Sequence, residues 1–96
     1  MPQKKRLMDV AAMFAALGDG TRLALLGRLL AGGPMSIAQL TAGSTVTRQA
    51  ITKHLHVLAK AGLVRDSWRG RERLFELVPH RLEDAKRSID EVAALR

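Results

Sequence analysis

Between Thr47 and Val78 the chain switches from one periodicity to another, and that switch limits the folds open to it. Ile51, Leu55 and Leu58 recur at i, i+4 and i+7, the spacing of a buried helical stripe, which Val57 and Ala61 should widen. Thr47 suits the N-cap, because its hydroxyl can accept an orphan backbone N–H of the first turn, and Gly62 suits the stop. Beyond Gly62, Leu63–Trp68 and Arg71–Val78 read as two strands around an Arg69-Gly70-Arg71 tip. In the second strand Leu74 and Glu76 alternate with Phe75 and Leu77, an imperfect period of two.

Charge falls on the same segment. The formal net charge is +7 over 96 residues. Seven Lys/Arg stand against two acids between Thr47 and Arg73, so most of the surplus sits on the helix and hairpin. A surplus this local is the footprint of a polyanion partner.

The rest of the chain reads as helices. Leu7, Val10, Phe14 and Leu17 define a first amphipathic helix, Leu7–Leu17, ended by Gly18. Lys4-Lys5-Arg6 before an apolar run imitates a secretory leader, but Asp9 interrupts the run and Gly18-Asp19-Gly20 is a poor cleavage site. No stretch of uncharged apolar residues is long enough to span a bilayer, so a cytoplasmic protein with no membrane partner is expected. Asp19 can cap a second helix whose Leu23, Leu26, Leu30 and Leu25, Leu29 rows form a wide apolar face. Leu25, Leu26, Leu29 and Leu30 are expected in the core. Gly32-Gly33-Pro34 ends it, and Ser36 caps a short third helix, Ile37 to Ala42, closed by Gly43.

A short helix, a tight turn and a longer helix with a polar outer face make a helix-turn-helix, whose second helix enters the major groove by its N-terminal residues. Pro79 opens a final helix in which Leu82, Ala85, Ile89 and Val92 form a narrow seam suited to a helix–helix contact. The predicted class is mainly α with a small β-hairpin, a winged helix-turn-helix of order α-α-α-α-β-β-α, forming a single domain over residues 1–96. So small a domain gains stability from oligomerisation.

The chemistry favours duplex DNA. Arg48, Gln49, Thr52, Lys53 and His56 remain outside the apolar stripe, next to the capping Thr47. Arginine pairs bidentately with guanine and glutamine with adenine, so Arg48 and Gln49 are the expected base readers. Thr52 and Lys53 suit base or phosphate contacts, with the Thr52 hydroxyl donating to phosphate or its methyl touching thymine. In the hairpin, Arg69, Arg71 and Arg73, with Gly70 permitting the turn, can lie on the backbone or enter the minor groove. Lys60 and Arg65 flank the end of the helix, where cations also favour its dipole.

Other chemistries lack their residues. With no cysteine there is no disulfide, thiol nucleophile or thiolate metal site. His54 and His56 point to different helix faces, which makes His54 a packing or capping residue, and His80 has no histidine nearby. Glu83, Asp84, Asp90 and Glu91 read as a solvated acidic face. No nucleophile–base pair or phosphate-cradling glycine loop is present, so neither an enzyme nor a cofactor is expected.

Phe14-Ala15-Ala16-Leu17-Gly18-Asp19-Gly20-Thr21-Arg22-Leu23 resembles the opening "ALxDxTRLxIL" pattern of the ArsR/SmtB family of bacterial transcriptional repressors. Val46 to Leu55, then Val57-Leu58 and Ala61-Gly62-Leu63-Val64, resemble its recognition-helix signature, and Arg69-Gly70-Arg71 its wing. The resemblance implies a homodimer built from the first and last helices, through Leu7, Val10 and Phe14 with Leu82, Ala85, Ile89 and Val92. It also implies two recognition helices reading an inverted repeat, with half-sites about one turn, ~34–36 Å, or a multiple of it apart. The chain departs from the family's metal sensors. It has no cysteine on the third helix or at the N-terminus and no histidine after His80, and Gly20 replaces a common proline. It is closer to members without a metal site, which implies a metal-independent repressor whose inducer the sequence does not name. Two readings stay open beside it: a metal-responsive repressor with non-thiol ligands, and a winged-helix protein-interaction module that does not read DNA.

Overall fold

Four helices, a hairpin and a fifth helix follow one another in the order the sequence predicts. The structure, a computed structural model, describes residues 2–95 and side chains from residue 8 onward. Its elements are α1 (Pro2–Leu17), α2 (Gly20–Gly32), α3 (Ile37–Thr41), α4 (Arg48–Lys60), β1 (Val64–Arg69), β2 (Glu72–Leu77) and α5 (Pro79–Ala93). The first helix starts at Pro2 rather than Leu7, with proline where its missing N–H costs nothing. The side chain of Leu7 lies outside the described residues.

Local chemistry sets the helix ends. Asp19 accepts the N–H of Arg22 at 3.0 Å, and Thr47 accepts that of Ala50 at 3.1 Å. Ser36 forms a capping box with Gln39, each side chain accepting the other's backbone N–H. At the far end of α4, Gly62 donates to the Ala59 carbonyl and Leu63 to that of Leu58, a Schellman motif that buries Leu58 against Leu63. Glycine suits this position by its backbone conformation. Its φ is +79°, and a Cβ would come within 2.9 Å of Arg81 Nε.

Three arginines act as caps in trans, satisfying C-terminal carbonyls of helices other than their own. Arg22 donates to Ala16 and Ala15 at the end of α1, Arg28 to Leu40 and Gln39 at the end of α3, and Arg81 to Ala61 after α4. These cations are structural, and nothing in their sequence spacing marks them apart from surface arginines.

Asp19 is held below the usual carboxylate range, chiefly by the backbone N–H of Arg22; partial burial opposes this, and the charges of Arg22 and His54 add to it. A carboxyl depressed in the folded state stabilises fully above its unfolded pKa of about 3.9 and loses that contribution as pH falls through the lower folded value. Asp19→Asn keeps a capping oxygen but removes the charge. It is therefore expected to flatten the loss of thermal stability below pH ~4; an acid limb identical to wild type in melting curves would contradict this.

The core gathers one face of every element. Met13 and Ala16 from α1, Leu25, Leu26 and Leu29 from α2, Leu40, the Ile51, Leu55 and Leu58 stripe, Ala61, Leu63, Val64, Phe75 and Ala85 pack together. Two expectations are corrected, one on α2 and one on α4. Leu30 is 74% exposed and Leu23 52%, because α1, α4 and β2 cover only one side of α2. Val57 is 41% exposed. At about 100° per residue it sits on the far side of α4 from Leu55 and does not widen the stripe. On α1, Met13 is a core residue while Phe14 is partly exposed.

The hairpin pairs Val64 with Leu77 through Arg69 with Glu72, leaving a two-residue turn, Gly70-Arg71. Only Gly70 has positive φ, +61°, so the turn is of type II′, with glycine at its first position. Met35 exchanges two backbone hydrogen bonds with Phe75, of 3.0 and 2.8 Å, and adds a one-residue third strand beside β2. The period of two fails because β2, which has α2 and α3 packed against it, buries the adjacent Leu74 and Phe75 on its two opposite faces.

Candidate nucleic-acid interface

The apolar stripe of α4 turns its opposite face outward. Ile51, Leu55 and Leu58 are at most 1% exposed, while Arg48, Gln49, Lys53 and His56 are exposed and Thr52 half-buried. Arg48, Gln49, Thr52, Lys53 and His56 line one shallow surface depression, so the five predicted side chains come together on one patch. Neither Arg48 nor Lys53 has an acidic partner among the described residues.

The two threonines differ in what they can offer. The Thr47 oxygen accepts from Ala50, which leaves its O–H proton free to donate outward. Thr52 Oγ1 instead donates to the Arg48 carbonyl at 2.9 Å, so in the free protein its donor is used inside the helix. Its outward chemistry is the methyl group and a lone pair, which suits a thymine methyl better than a phosphate.

His54 does not face this patch. Its Nδ1 lies 3.4 Å from Arg22 Nη1 and 3.8 Å from Asp19 Oδ2, in a half-buried polar cluster. Guanidinium can only donate, so in this contact the His54 ring nitrogen is the acceptor. Through Arg22 the cluster ties α4 to the C-terminus of α1 and the N-cap of α2, which holds the helix in orientation from its buried side.

The predicted wing arginines divide. Arg69 and Arg71 are exposed at the tip and have no acidic partner among the described residues. Arg73 lies 2.7 Å from Asp66 Oδ2 and 5.0 Å from the Phe75 ring centre, so it braces the hairpin. Asp66 is correspondingly held below the usual carboxylate range, first by its hydrogen bond from Arg73. Arg65 is engaged likewise by Glu76 at 3.0 Å. Sequence reasoning passed over Trp68, which is 66% exposed. With Arg48 and Arg71 it lines a groove between the hairpin and the start of α3.

The predicted dimer residues also divide. Ala85 is 5% exposed, and Val10 and Leu82 pack partly against the chain's own core. Beyond them the seam emerges: Ile89 is 54% and Val92 68% exposed, and on the neighbouring α1 Phe14 is 37% exposed. The acids of α5 do not gather; Asp84 pairs with Arg87 at 3.1 Å and Arg81 at 3.8 Å. Among the described residues no three His, Asp or Glu side chains converge as metal ligands do.

A buried-stripe helix with a polar outer face, preceded by a short capped helix and followed by a basic wing, defines a winged helix-turn-helix regulator of transcription. Residues 17–66 match the family model described as a helix-turn-helix domain. Together with the relatives below, this shows that the chain belongs to the ArsR family of winged helix-turn-helix, DNA-binding transcriptional regulators. It is 40% identical over 75 residues to the HTH-type transcriptional regulator Rv2034 of Mycobacterium tuberculosis, covering 78% of this chain and 69% of that protein. It is similar in structure to an ArsR-like transcriptional regulator from Rhodococcus sp. RHA1, with TM-score 0.83, 35% identity, and coverage of 92% of this chain and 82% of that one. A homodimeric winged helix-turn-helix DNA-binding domain from Mycobacterium bovis matches with TM-score 0.73 and 25% identity, over 97% of this chain and 82% of that one.

Proposed function

We propose that this chain is a cytoplasmic, metal-independent repressor that binds an inverted-repeat operator as a homodimer and excludes transcription from the promoter. The observation that carries the reading is the two-sided α4, with its apolar side sealed in the core and Arg48, Gln49, Thr52, Lys53 and His56 gathered outside. In this reading Arg48 and Gln49 contact base edges, Lys53, Thr47 and His56 neighbouring phosphates, and Arg69 and Arg71 the flanking backbone or minor groove, with Gly70 shaping the tip. Dimerisation is supported by the exposed apolar side chains on the two packed terminal helices, Phe14 on α1 and Ile89 and Val92 on α5, and by the homodimeric relative. Metal independence rests on composition: the chain has no cysteine, and the central acid of α5, Asp84, is already engaged by arginines.

Footprinting on the DNA upstream of the gene, across a salt series and with or without zinc or nickel, tests the reading. A protected inverted repeat whose occupancy falls steeply with salt and ignores metal is the expected result. Release by metal would restore the metal-sensing alternative. Gln49→Ala should cost about 1–3 kcal/mol on the best site and relax base preference at one position. Equal losses on operator and random duplex would remove Gln49 from the base readers.

A further inference from the structure

We infer that Trp68 is a DNA contact, its indole seated against the sugar–phosphate backbone in the groove between the hairpin and the start of α3. The inference deepens the DNA-binding reading above and rests on it.

Trp68 is the chain's one tryptophan, and it is 66% exposed, whereas Phe75 on the same hairpin is 2% exposed. Strand register explains why nothing covers it. Its cross-strand partner is Arg73, on the same face of the hairpin, and Arg73 is drawn away toward Asp66 at 2.7 Å and the Phe75 ring. The indole is left standing at the edge of a groove whose wall includes Ser36 and Ile37 at the start of α3, Arg48 at the start of α4, and Arg71 at the turn. One groove therefore touches the start of α3, the recognition helix and the wing.

Charge selects the occupant. Arg48 and Arg71 have no acidic partner among the described residues, Glu72 is the one acid lining the groove, and Arg73 is already paired. A polyanion is welcome there, while a second copy of a chain of net charge +7 would bring like charge to it. Indole chemistry agrees: Nε1–H donates and cannot accept, which matches phosphate oxygens, and the ring offers an apolar face to deoxyribose. Because the contact is with the backbone, it should operate on any duplex sequence.

The test uses wild-type protein and a mixed-sequence duplex of about two helical turns, ~21 base pairs, carrying a fluorophore at one end. Anisotropy of the label reports binding, and acrylamide quenching of Trp68 emission reports its exposure. Saturating duplex is expected to shield Trp68 from acrylamide at the stoichiometry the anisotropy gives. Trp68→Ala should bind on the order of tenfold more weakly with an unchanged melting temperature. Its salt slope should match wild type, because an uncharged side chain releases no counterion. Arg71→Ala should instead lower the slope by about 0.9. Undiminished quenching while anisotropy shows bound duplex, or full affinity in Trp68→Ala, would overturn the inference. So would shielding that appears on raising protein concentration without DNA, since a second copy would then occupy the groove. No anisotropy change at low salt would sink the DNA-binding reading itself, and this inference with it.

Discussion

Glutamates at Ile89 and Val92 are expected to leave a folded monomer that binds its operator roughly a hundredfold or more weakly. Both side chains are exposed, at 54% and 68%, on the part of the α5 seam that extends past the chain's own core. Charging them should therefore not disturb the interior. Joining two recognition helices makes the second contact intramolecular, and its loss removes an avidity of about 10²–10⁴ without touching any DNA-facing residue. Sedimentation velocity, circular dichroism and operator titration on the double variant measure the three parts of this expectation. A persisting dimer would place the interface elsewhere, and a monomer with full operator affinity would refute paired reading of the site.

Leu55→Ala is expected to destabilise the fold by about 2–5 kcal/mol, the range for truncating a buried leucine in a core that collapses only partly. Leu55 has no exposed surface and lies mid-way along the stripe joining α4 to the rest of the core. Against a total stability of about 5–15 kcal/mol for an ordinary domain, such a loss is a large share, and operator binding at 37 °C should fall with the folded fraction. Val57→Ala is the matched control. Being 41% exposed, it should stay within about 0.5 kcal/mol of wild type. Urea midpoints decide between them, and equal losses would mean that the outward side of α4 is packed as well.

Much of the architecture was legible because its signals are local. Asp19, Ser36 and Thr47 are short polar residues placed where a helix must start, and each caps as predicted. Gly62 and Gly70 stand where positive φ is needed. The i, i+4, i+7 spacing of Ile51, Leu55 and Leu58 determines by geometry alone which side of α4 is buried and which five side chains face out.

What remained hidden depends on partners far away in sequence. Leu23 and Leu30 are as apolar as their buried neighbours on α2, and only the arrangement of α1, α4 and β2 decides which side of that helix is covered. Arg22, Arg28 and Arg81 look like surface cations until the helix ends they cap are brought beside them. Arg73 reads in sequence as one more wing cation like Arg69 and Arg71, whereas strand register brings it beside Asp66 and leaves Trp68 exposed. By itself, then, the sequence determined the elements, their order, the outward face of the recognition helix and the family. Periodicity, capping and turn chemistry act over a few residues and are written in the order of the letters. Tertiary structure alone decided which cations are left without an acidic partner and which apolar side chains stay exposed, because both depend on what the fold packs around each side chain.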